Sequence, residues 1–419
     1  MVHTRRDAHR EAAIIIVGTE LVSGLRTDTN GAEIARSLAT AGFHTASREV
    51  LPDDVPLLSA RMRDRMAEYD LVVVGGGLGP THDDVTREAA ARALGVKLER
   101  DPAIVALLEP VAARHHFARS ASQVMRQADV LAGARVLVSR SGTAPGQLVS
   151  TTRGHLLLLP GPPHELRPLL AEALAGIGGE PSAAPRVLRC VGIAESDAQV
   201  TAENLIATRP GVGLTVLAQP ALVDIVLFDE GAGSAGLDRV ARDIADALGD
   251  VCYTTDGATL AEVVISAASR DGLALALAES CTGGMIAAEL TSVPGASSAF
   301  LGSAVTYADD LKHALLGVDD DTLNDYGAVS NAAASEMASG IRALSGADIT
   351  LAVTGIAGPG GGSPDKPVGT VWFAVDAGRG VSSIERHFSG DRDTVRARAT
   401  ATALDLLRRA ILSSAVGRP

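Results

Sequence analysis

The segment Ala278–Met285, AESCTGGM, places a serine, a cysteine and a threonine directly before two glycines. It follows the apolar run LALALA and precedes a stretch with helical spacing, which predicts a strand, a tight turn and a helix. A small nucleophile in such a turn has backbone N–H groups nearby that can stabilise an oxyanion. On residue types alone, the nucleophile could be Ser280, Cys281 or Thr282.

A serine nucleophile needs a base, and no histidine of this region occurs in a suggestive motif. His313 is expected to be exposed on an acidic, alanine-rich helix, but its neighbour Lys312 could act as the base in its neutral form. The helix N-terminus and burial would favour the neutral amine, whereas Asp309 and Asp310 would favour the ammonium. Since most helical lysines are exposed, a plain surface position for Lys312 is the competing interpretation.

Two further polar residues lie at predicted strand ends of the same region. Tyr307 ends the strand SAVTYA, and Thr354 ends the strand before the glycine-rich segment GIAGPGGGSPDKPVGT. These residues are the other candidates for the same site.

A second candidate site lies in the N-terminal half, in GGGLGPTHDDVT, which spans Gly75–Thr86. Glycines allow close approach of the backbone to a ligand, and the amides at a helix start bind phosphate. Asp83 and Asp84, at the predicted helix start, would suit Mg²⁺ beside a phosphate. Alternatively, one aspartate is the helix N-cap and the glycines only form a turn.

Several other polar clusters fall at predicted strand ends and would together form an acidic pocket: Glu20, Asp28 and Asn30, then Asp53 and Asp54, then Ser141–Gly146. These clusters lack lysine and the chain has no GxxxxGK[ST] motif, which argues against a P-loop NTPase.

The elements that must position these residues alternate between strand and helix. Apolar runs such as Ala12–Gly18 and Leu71–Gly77 predict parallel strands buried on both faces. We therefore predict two doubly wound α/β domains, over residues 1–175 and 256–419, joined by a small α+β module at 176–255 in which we find no chemistry. The segment Gly176–Pro185, GIGGEPSAAP, is the clearest linker.

Composition narrows the functional classes. The net charge is −13 over 419 residues and aromatic residues are 3%, so direct nucleic-acid binding is not expected. Cys190, Cys252 and Cys281 are scattered without a CxxC pair, which indicates neither a zinc site nor a disulfide framework. The apolar runs are too short to span a bilayer, and the first is typical of a strand rather than a signal peptide. We expect a cytoplasmic protein without membrane association.

In order along nearly the whole chain, the motifs GTELVSG, GGGLGPTHDD, GTAPG, LPGPPHE, AESCTGG, YADDLKHALLGV and TGIAGPGGG resemble those of the CinA family (competence/damage-inducible protein A). The resemblance implies an N-terminal domain similar to molybdopterin-binding proteins, a small middle module and a C-terminal nicotinamide-nucleotide amidohydrolase domain. It also implies a homodimer.

The resemblance implies catalytic roles for Ser280, Tyr307, Lys312 and Thr354. The implied reaction is hydrolysis of the carboxamide of nicotinamide mononucleotide to nicotinic acid mononucleotide and ammonia, without a cofactor. Ser280 would attack, Lys312 would take and return the proton, and helix-start amides would hold the oxyanion. Substrate contacts would come from Gly283, Gly284, Gly358 and an arginine of the last helix, either Arg392 or Arg396.

On the same basis, Cys281 becomes a small packing residue beside the nucleophile. Thr282 becomes a helix-start hydroxyl or a ligand contact.

For the N-terminal domain the resemblance implies metal-dependent cleavage of the pyrophosphate of ADP-ribose or a related dinucleotide. Asp83 and Asp84 would hold Mg²⁺ or another divalent ion. Substrate contacts would come from Gly75, Gly76, Gly77, Thr81 and Asn30. One departure concerns the residues before GTAPG, where the family often has an asparagine and this chain has Ser139 and Arg140. An arginine there would favour a longer or more anionic ligand.

Two alternatives stay open beside this small-molecule hydrolase. The N-terminal domain could bind a pterin or nucleotide without catalysis, because one fold hosts many functions. The protein could also be an adaptor in DNA uptake or damage response, although its acidic charge argues against direct DNA contact.

Overall fold

The computed structural model describes residues 10–114, 118–139, 142–178 and 183–416, and the chain divides into two compact units, Met1–Ala184 and Pro185–Pro419. Arg140, Ser141 and the middle of the predicted linker, 179–182, lie outside the described residues.

The first unit alternates strands and helices as its apolar runs predict. Its strands are β1 (Arg10–Val17), β2 (Phe43–Leu51), β3 (Leu71–Gly75), β4 (Leu98–Arg100), β5 (Asp129–Leu131), β6 (Arg135–Leu137), β7 (Gly146–Ser150) and β8 (His155–Leu159). Its helices are α1 (Thr19–Val22), α2 (Asn30–Thr40), α3 (Val55–Glu68), α4 (Thr86–Leu94), α5 (Pro102–Ala112), α6 (Ala118–Met125) and α7 (Pro163–Ile177).

The main sheet of this unit has the order β2-β1-β3-β8-β7-β6. The first four strands are parallel, and β7 and β6 extend the sheet antiparallel. Alternate residues of β1 belong to different cores: Ile14 and Ile16 pack with α2 and α7, and Ile15 packs with α3 and α4. Burial on both faces explains why these strands are continuous apolar runs.

The second unit contains two sheets. Its strands are β9 (Arg186–Val191), β10 (Val212–Gln219), β11 (Leu222–Asp229), β12 (Cys252–Thr254), β13 (Leu275–Glu279), β14 (Phe300–Val305), β15 (Ile349–Gly355), β16 (Thr370–Asp376) and β17 (Val381–His387). Its helices are α8 (Glu195–Ile206), α9 (Gly233–Leu248), α10 (Leu260–Asp271), α11 (Met285–Thr291), α12 (Asp309–Leu316), α13 (Asp320–Tyr326), α14 (Asn331–Ser345) and α15 (Arg392–Val416).

The smaller sheet, β10-β11-β9-β12, is antiparallel and packs with α8 and α9. The larger has the order β14-β13-β15-β16-β17, with its first three strands parallel. Leu275 and Leu277 of β13 join the core that contains residues of α10, α11 and α15, whereas Ala276 and Ala278 join the core that contains residues of α14. With helices on both faces of each large sheet, the predicted α/β fold class is confirmed.

In the described part of the chain, no helix has both the length and the apolar character needed to span a membrane.

Candidate active sites

Three parallel strands of the larger C-terminal sheet end together at Ser280. Glu279, the last residue of β13, is in register with Val305 on one side and Val353 on the other. The Ser280 amide donates to the Val353 carbonyl at 3.0 Å, and the Thr306 amide donates to the Glu279 carbonyl at 2.9 Å. Ser280, only 7% exposed, therefore lies between the ends of β14 and β15.

Glu279 is a fully buried carboxylate that organises the turn after Ser280. Its Oε2 accepts hydrogen bonds from the Thr282 hydroxyl at 2.8 Å, the Gly284 amide at 2.9 Å and the Ile286 amide at 3.2 Å. Its Oε1 accepts from the Ala287 amide at 3.0 Å and the Ser303 hydroxyl at 3.2 Å. The positive end of the α11 dipole also favours this negative charge. Sequence reasoning missed Glu279, although an acid at the end of an apolar strand was a usable signal.

This arrangement corrects the expectation that helix-start amides hold an oxyanion. Glu279 occupies the amides of Gly284, Ile286 and Ala287, and the Met285 amide donates to the Thr282 carbonyl at 3.3 Å. A buried carboxylate needs several donors, and the first turn of α11 supplies them.

The two glycines of the turn have backbone conformations that other residues rarely adopt. Gly283 has a φ of 61° and Gly284, the N-cap of α11, has a φ of 92°. The Thr282 hydroxyl is used inside the turn, where it donates to Glu279. The glycines thus reverse the chain sharply between the nucleophile candidate and the helix.

Cys281 is 5% exposed, and burial raises the pKa of its thiol to about 12. A thiol with that pKa is neutral near pH 7 and is a poor nucleophile. This supports packing rather than reactivity as the role of Cys281.

Lys312 is buried, with 1% of its surface exposed, so the surface-lysine interpretation is wrong. Because α12 begins at Asp309, Lys312 lies in its first turn, where its Nζ donates to the Tyr307 carbonyl at 3.3 Å and to Asp309 Oδ1 at 3.2 Å. The role of Lys312 as a base stays a prediction. His313 is half exposed, as expected, beside the Val318 carbonyl.

Both candidate arginines of α15 reach the loops around Ser280, but at different places. Arg396 donates to the carbonyls of Cys281 at 3.2 Å and Thr282 at 3.0 Å. Arg392 donates to the Gly358 carbonyl at 2.8 Å and to the Tyr307 hydroxyl at 2.9 Å. The sequence left the choice between them open, and the structure brings both to this region.

Two threonines flank Ser280 at the strand ends. Thr354 is 1% exposed and its hydroxyl donates to the Ala328 carbonyl at 2.8 Å. Thr306 is fully buried, and its hydroxyl has no hydrogen-bond partner among the described residues. A buried polar group without a partner calls for an explanation, such as a bound ligand. Sequence reasoning missed Thr306 because only burial distinguishes it from other strand threonines.

In the N-terminal unit, the loop after β3 is built for close backbone packing. Gly76 has a φ of 105°, and a Cβ there would lie 2.4 Å from the Val17 carbonyl oxygen. A Cβ on Gly77 would lie 2.2 Å from the Thr86 hydroxyl, which donates to the Gly76 carbonyl at 2.8 Å. Gly75 itself is the buried last residue of β3.

Asp84 stabilises this loop from inside. Its carboxylate accepts from the Gly79 amide at 2.8 Å, the Thr81 amide at 2.7 Å and the Thr81 hydroxyl at 2.6 Å. Since α4 begins at Thr86 with Val85 as its N-cap, the prediction that an aspartate caps the helix is wrong. The Asp84 side chain turns back into the loop instead.

A buried arginine, missed by sequence reasoning, braces the same loop. Arg87, 1% exposed, donates to the Leu78 carbonyl at 2.6 Å and the Gly79 carbonyl at 3.0 Å.

Asp83 faces outward, with 62% of its side chain exposed. A hydrogen bond with Thr81 lowers the pKa of the Asp83 carboxyl, which keeps it ionised at neutral pH. The described residues contain no group of three or more His, Cys, Asp or Glu side chains placed to hold a metal. One ionised, exposed carboxylate beside a second that braces the loop fits a Mg²⁺ ion that takes its other ligands from water and phosphate.

The polar pocket expected beside this loop is partly present. Three buried acceptor atoms have no hydrogen-bond partner among the described residues: Asp28 Oδ2, which lies 3.8 Å from Arg48 Nε in an ion pair, Asn30 Oδ1 and Glu165 Oε2. Asn30 Nδ2 donates at 2.6 Å to the carbonyl of Gly161, which lies just beyond the end of β8. Burial raises the pKa of the Glu165 carboxyl, a residue of the LPGPPHE motif that sequence reasoning did not single out. Such acceptors suit donors of a ligand.

Asp53 and Asp54 have local roles. Asp53 accepts from the Thr19 amide and hydroxyl, each at 2.8 Å, and Asp54 is the N-cap of α3, accepting from the Leu57 amide at 2.8 Å.

Two family models match the chain. One, described as CinA C-terminal domain, covers residues 257–411, and the other, described as "Probable molybdopterin binding domain", covers residues 13–178. The first range contains Ser280, Lys312 and the two candidate arginines Arg392 and Arg396, and the second contains Asp83 and Asp84.

Relatives match over nearly the whole chain. A CinA-like protein from Acidobacterium capsulatum is 39% identical over 417 residues, which is 96% of this chain and 100% of the relative. A CinA-like protein from Geobacter metallireducens is 39% identical over 416 residues, with the same coverage of 96% and 100%. A crystal structure of a competence-damaged protein (CinA) superfamily protein from Klebsiella pneumoniae is 38% identical and covers 37% of this chain and 96% of that chain, with a TM-score of 0.36.

Proposed function

This chain belongs to the CinA family, and from that premise we propose that its C-terminal unit hydrolyses the carboxamide of nicotinamide mononucleotide. One observation carries the proposal: Ser280 lies where three parallel strands end, and the buried Lys312 Nζ contacts the Tyr307 carbonyl just beyond one of them. Ligands of α/β proteins bind at such strand ends. A small nucleophile and a buried amine in one region are what acyl transfer requires.

In the proposed reaction, the Ser280 hydroxyl attacks the carboxamide carbon and passes its proton to Lys312. The C–N bond then breaks, and Lys312 returns the proton to the departing ammonia. Water hydrolyses the resulting ester on Ser280 by the same route, releasing nicotinic acid mononucleotide.

The other residues bind and orient the substrate. Arg392 and Arg396 carry positive charge to the rim of the site, where guanidinium groups can bind the 5′-phosphate. Because Glu279 occupies the helix-start amides, the unpartnered Thr306 hydroxyl is the better donor for the amide oxygen. Tyr307, with 60% of its surface exposed, and Thr354 complete the proposed pocket.

A substrate screen tests this proposal. Purified protein is incubated with nicotinamide mononucleotide, NAD and ADP-ribose, with EDTA or Mg²⁺, and ammonia and nucleotide products are quantified. Ammonia is expected from nicotinamide mononucleotide at equal rates in EDTA and Mg²⁺. Absence of ammonia above the buffer rate would overturn the proposed amidase.

For the N-terminal unit we propose metal-dependent cleavage of the pyrophosphate of ADP-ribose or a related dinucleotide. The turn Gly75–Gly77, closed by the Thr86 hydroxyl, supports it by its position, because it follows the C-terminal end of the parallel strand β3, where α/β proteins bind their ligands. The unpartnered acceptors of Asn30 and Glu165 suit the donor groups of a ribose or base.

Asp83, with Asp84 beside it, would hold the divalent ion. When bound, such an ion supplies positive charge to the phosphate oxygens. Asp84 and Arg87 keep the loop rigid, and the Thr81 hydroxyl donates to the Asp84 carboxylate.

Turnover of ADP-ribose with Mg²⁺, abolished by EDTA, is the expected result. Tight binding of ADP-ribose or a pterin that needs no metal and gives no product would instead establish a binding module.

We also propose the homodimer that the family resemblance implies. Light scattering on the full chain is expected to give twice the mass of 42.8 kDa. A mass of one chain at micromolar concentration would contradict it.

A further inference from the structure

Two cysteines that are far apart in sequence lie opposite each other on neighbouring strands. Cys190 of β9 pairs with Cys252 of β12 in the antiparallel ladder of the smaller sheet. Directly opposed residues of such a ladder point to the same face, with Cα atoms about 4.5–5.5 Å apart. That spacing falls in the range of about 4.4–6.8 Å found for disulfides. The scattered spacing in the sequence gave no sign of this pair.

The two thiols interact and are not equivalent. Interaction with the Cys190 thiol lowers the pKa of the Cys252 thiol, and interaction with Cys252 together with burial raises the pKa of the Cys190 thiol. Cys190 is fully buried, whereas Cys252 is half-buried, with its Sγ 3.4 Å from the Thr254 carbonyl. One thiol is thus partly exposed and has a lowered pKa, and its neighbour is buried and has a raised pKa. This asymmetry matches an oxidation-sensitive thiol paired with a resolving thiol.

We infer that Cys190 and Cys252 form a site of reversible oxidation, which closes to a disulfide when the protein meets a two-electron oxidant such as hydrogen peroxide. The Cys252 thiolate attacks one peroxide oxygen, the O–O bond breaks, and hydroxide leaves with Cys252 as a sulfenic acid. The Cys190 sulfur then attacks the Cys252 sulfur, the S–O bond breaks, and water leaves with the Cys190 proton. Two thiols lose two electrons in total, and one peroxide becomes two waters.

The bond would link an edge strand of the smaller sheet covalently to its neighbour. β12 has only three residues, lies at the edge of its sheet, and shifts register between Cys252 and Thr254. The chain runs from β12 directly into α10, whose residues Leu260, Ala261 and Val264 lie in the core of the larger sheet. Oxidation would therefore restrict the movement of β12, the strand from which the chain continues to the larger sheet of this unit.

The direct test uses the wild-type full chain. Reduced protein is treated with one to five equivalents of peroxide, quenched, unfolded and alkylated with N-ethylmaleimide before intact-mass analysis. The three cysteines should give three adducts in reduced protein and one after oxidation, with recovery in dithiothreitol. A non-reducing peptide map should show Cys190 linked to Cys252, with Cys281 as the alkylated residue. Three adducts after oxidation, or a link that includes Cys281, would overturn the inference.

Variants separate the two roles. Cys190→Ala should accumulate a dimedone adduct on Cys252 after peroxide, because the resolving thiol is gone. Cys252→Ser should lose the fast phase of thiol oxidation, whereas the matched variant Cys281→Ser should still form the disulfide. Equal rates of thiol loss in Cys252→Ser and wild type would contradict the assigned order of attack. The peptide map of the wild-type protein tests the disulfide even if a variant folds poorly.

Discussion

The Glu279 carboxylate accepts a hydrogen bond from the Thr282 hydroxyl at 2.8 Å, and Ser280 lies between these two residues in the chain. The nucleophile candidate is therefore held by a closed turn whose two ends are tied by side chains. The same carboxylate takes three amides of the α11 N-terminus, so one buried residue fixes both the turn and the helix that follows.

Glu279→Gln should lower both stability and amidase rate. A glutamine has one acceptor oxygen and directs an NH₂ group at donors that Glu279 now satisfies, at a cost of about 2–3 kcal/mol in the free energy of unfolding. Urea unfolding measures this loss, and kcat for nicotinamide mononucleotide should fall while KM changes little. Glu289→Gln, an exposed position on the same helix, is the control and should stay within about 0.5 kcal/mol of wild type. Equal stability of the two variants would contradict the anchoring role.

Thr306→Val should reduce amidase activity without destabilising the fold. The substitution keeps the shape and removes a buried hydroxyl that has no partner, so the melting temperature should stay the same or rise. If the hydroxyl donates to the amide oxygen, kcat/KM should fall roughly tenfold or more, the effect of losing about 1.4 kcal/mol or more of transition-state stabilisation. Thr306→Ser keeps the hydroxyl and should retain most of the rate. A fully active valine variant would exclude this contact.

Glu165→Gln should stabilise the N-terminal unit at neutral pH. Burial raises the pKa of this carboxyl, so the folded state disfavours its ionised form relative to the unfolded chain. Because the pKa of Glu165 is higher in the folded state than in the unfolded chain, its contribution to stability is fully present below the unfolded pKa. That contribution is lost as the pH rises through the folded pKa. The melting temperature gain of the glutamine variant should therefore be present at pH 7 and vanish near pH 4. Glu109→Gln, at an exposed position, should show no such pH-dependent gain.

Substitutions of the two adjacent aspartates should have different effects, because Asp83 is proposed to bind the metal and Asp84 supports the loop. Asp83→Asn should raise the Mg²⁺ concentration needed for half-maximal ADP-ribose cleavage by roughly tenfold or more, with little change in melting temperature. Asp84→Asn should lower the melting temperature, because its carboxylate accepts three hydrogen bonds inside the loop. Metal titrations and thermal unfolding of both variants test this prediction. The same metal dependence and the same melting temperature in the two variants would contradict the different roles.

The sequence predicted the fold class well because buried parallel strands are continuous apolar runs, as in Ile14–Val17 and Leu71–Val74. It also placed Ser280, Tyr307 and Thr354 at or just beyond strand ends. Which residues meet across strands depends on register, and the opposition of Cys190 and Cys252 is a consequence of register alone.

The burial of individual side chains and their directions also could not be predicted from the sequence. The burial of Lys312 could not be predicted from the sequence, because a helical lysine in an acidic segment is normally exposed. The sequence allowed Asp83 or Asp84 as the N-cap of α4, but the direction of the Asp84 side chain into the loop depends on donors at Gly79 and Thr81 that the local pattern does not reveal. The role of Glu279 could not be predicted because it depends on the amides and hydroxyl that the folded turn brings to its carboxylate.

The most direct test of the central claim is the rate of ammonia release from nicotinamide mononucleotide by Ser280→Ala, with Cys281→Ser as the matched control. Both residues are small and buried in the same turn, so the pair separates chemistry from packing. We predict that Ser280→Ala loses about 10³-fold or more of kcat, whereas Cys281→Ser stays within about tenfold of wild type. The reverse order, or an active Ser280→Ala variant, would contradict Ser280 as the nucleophile.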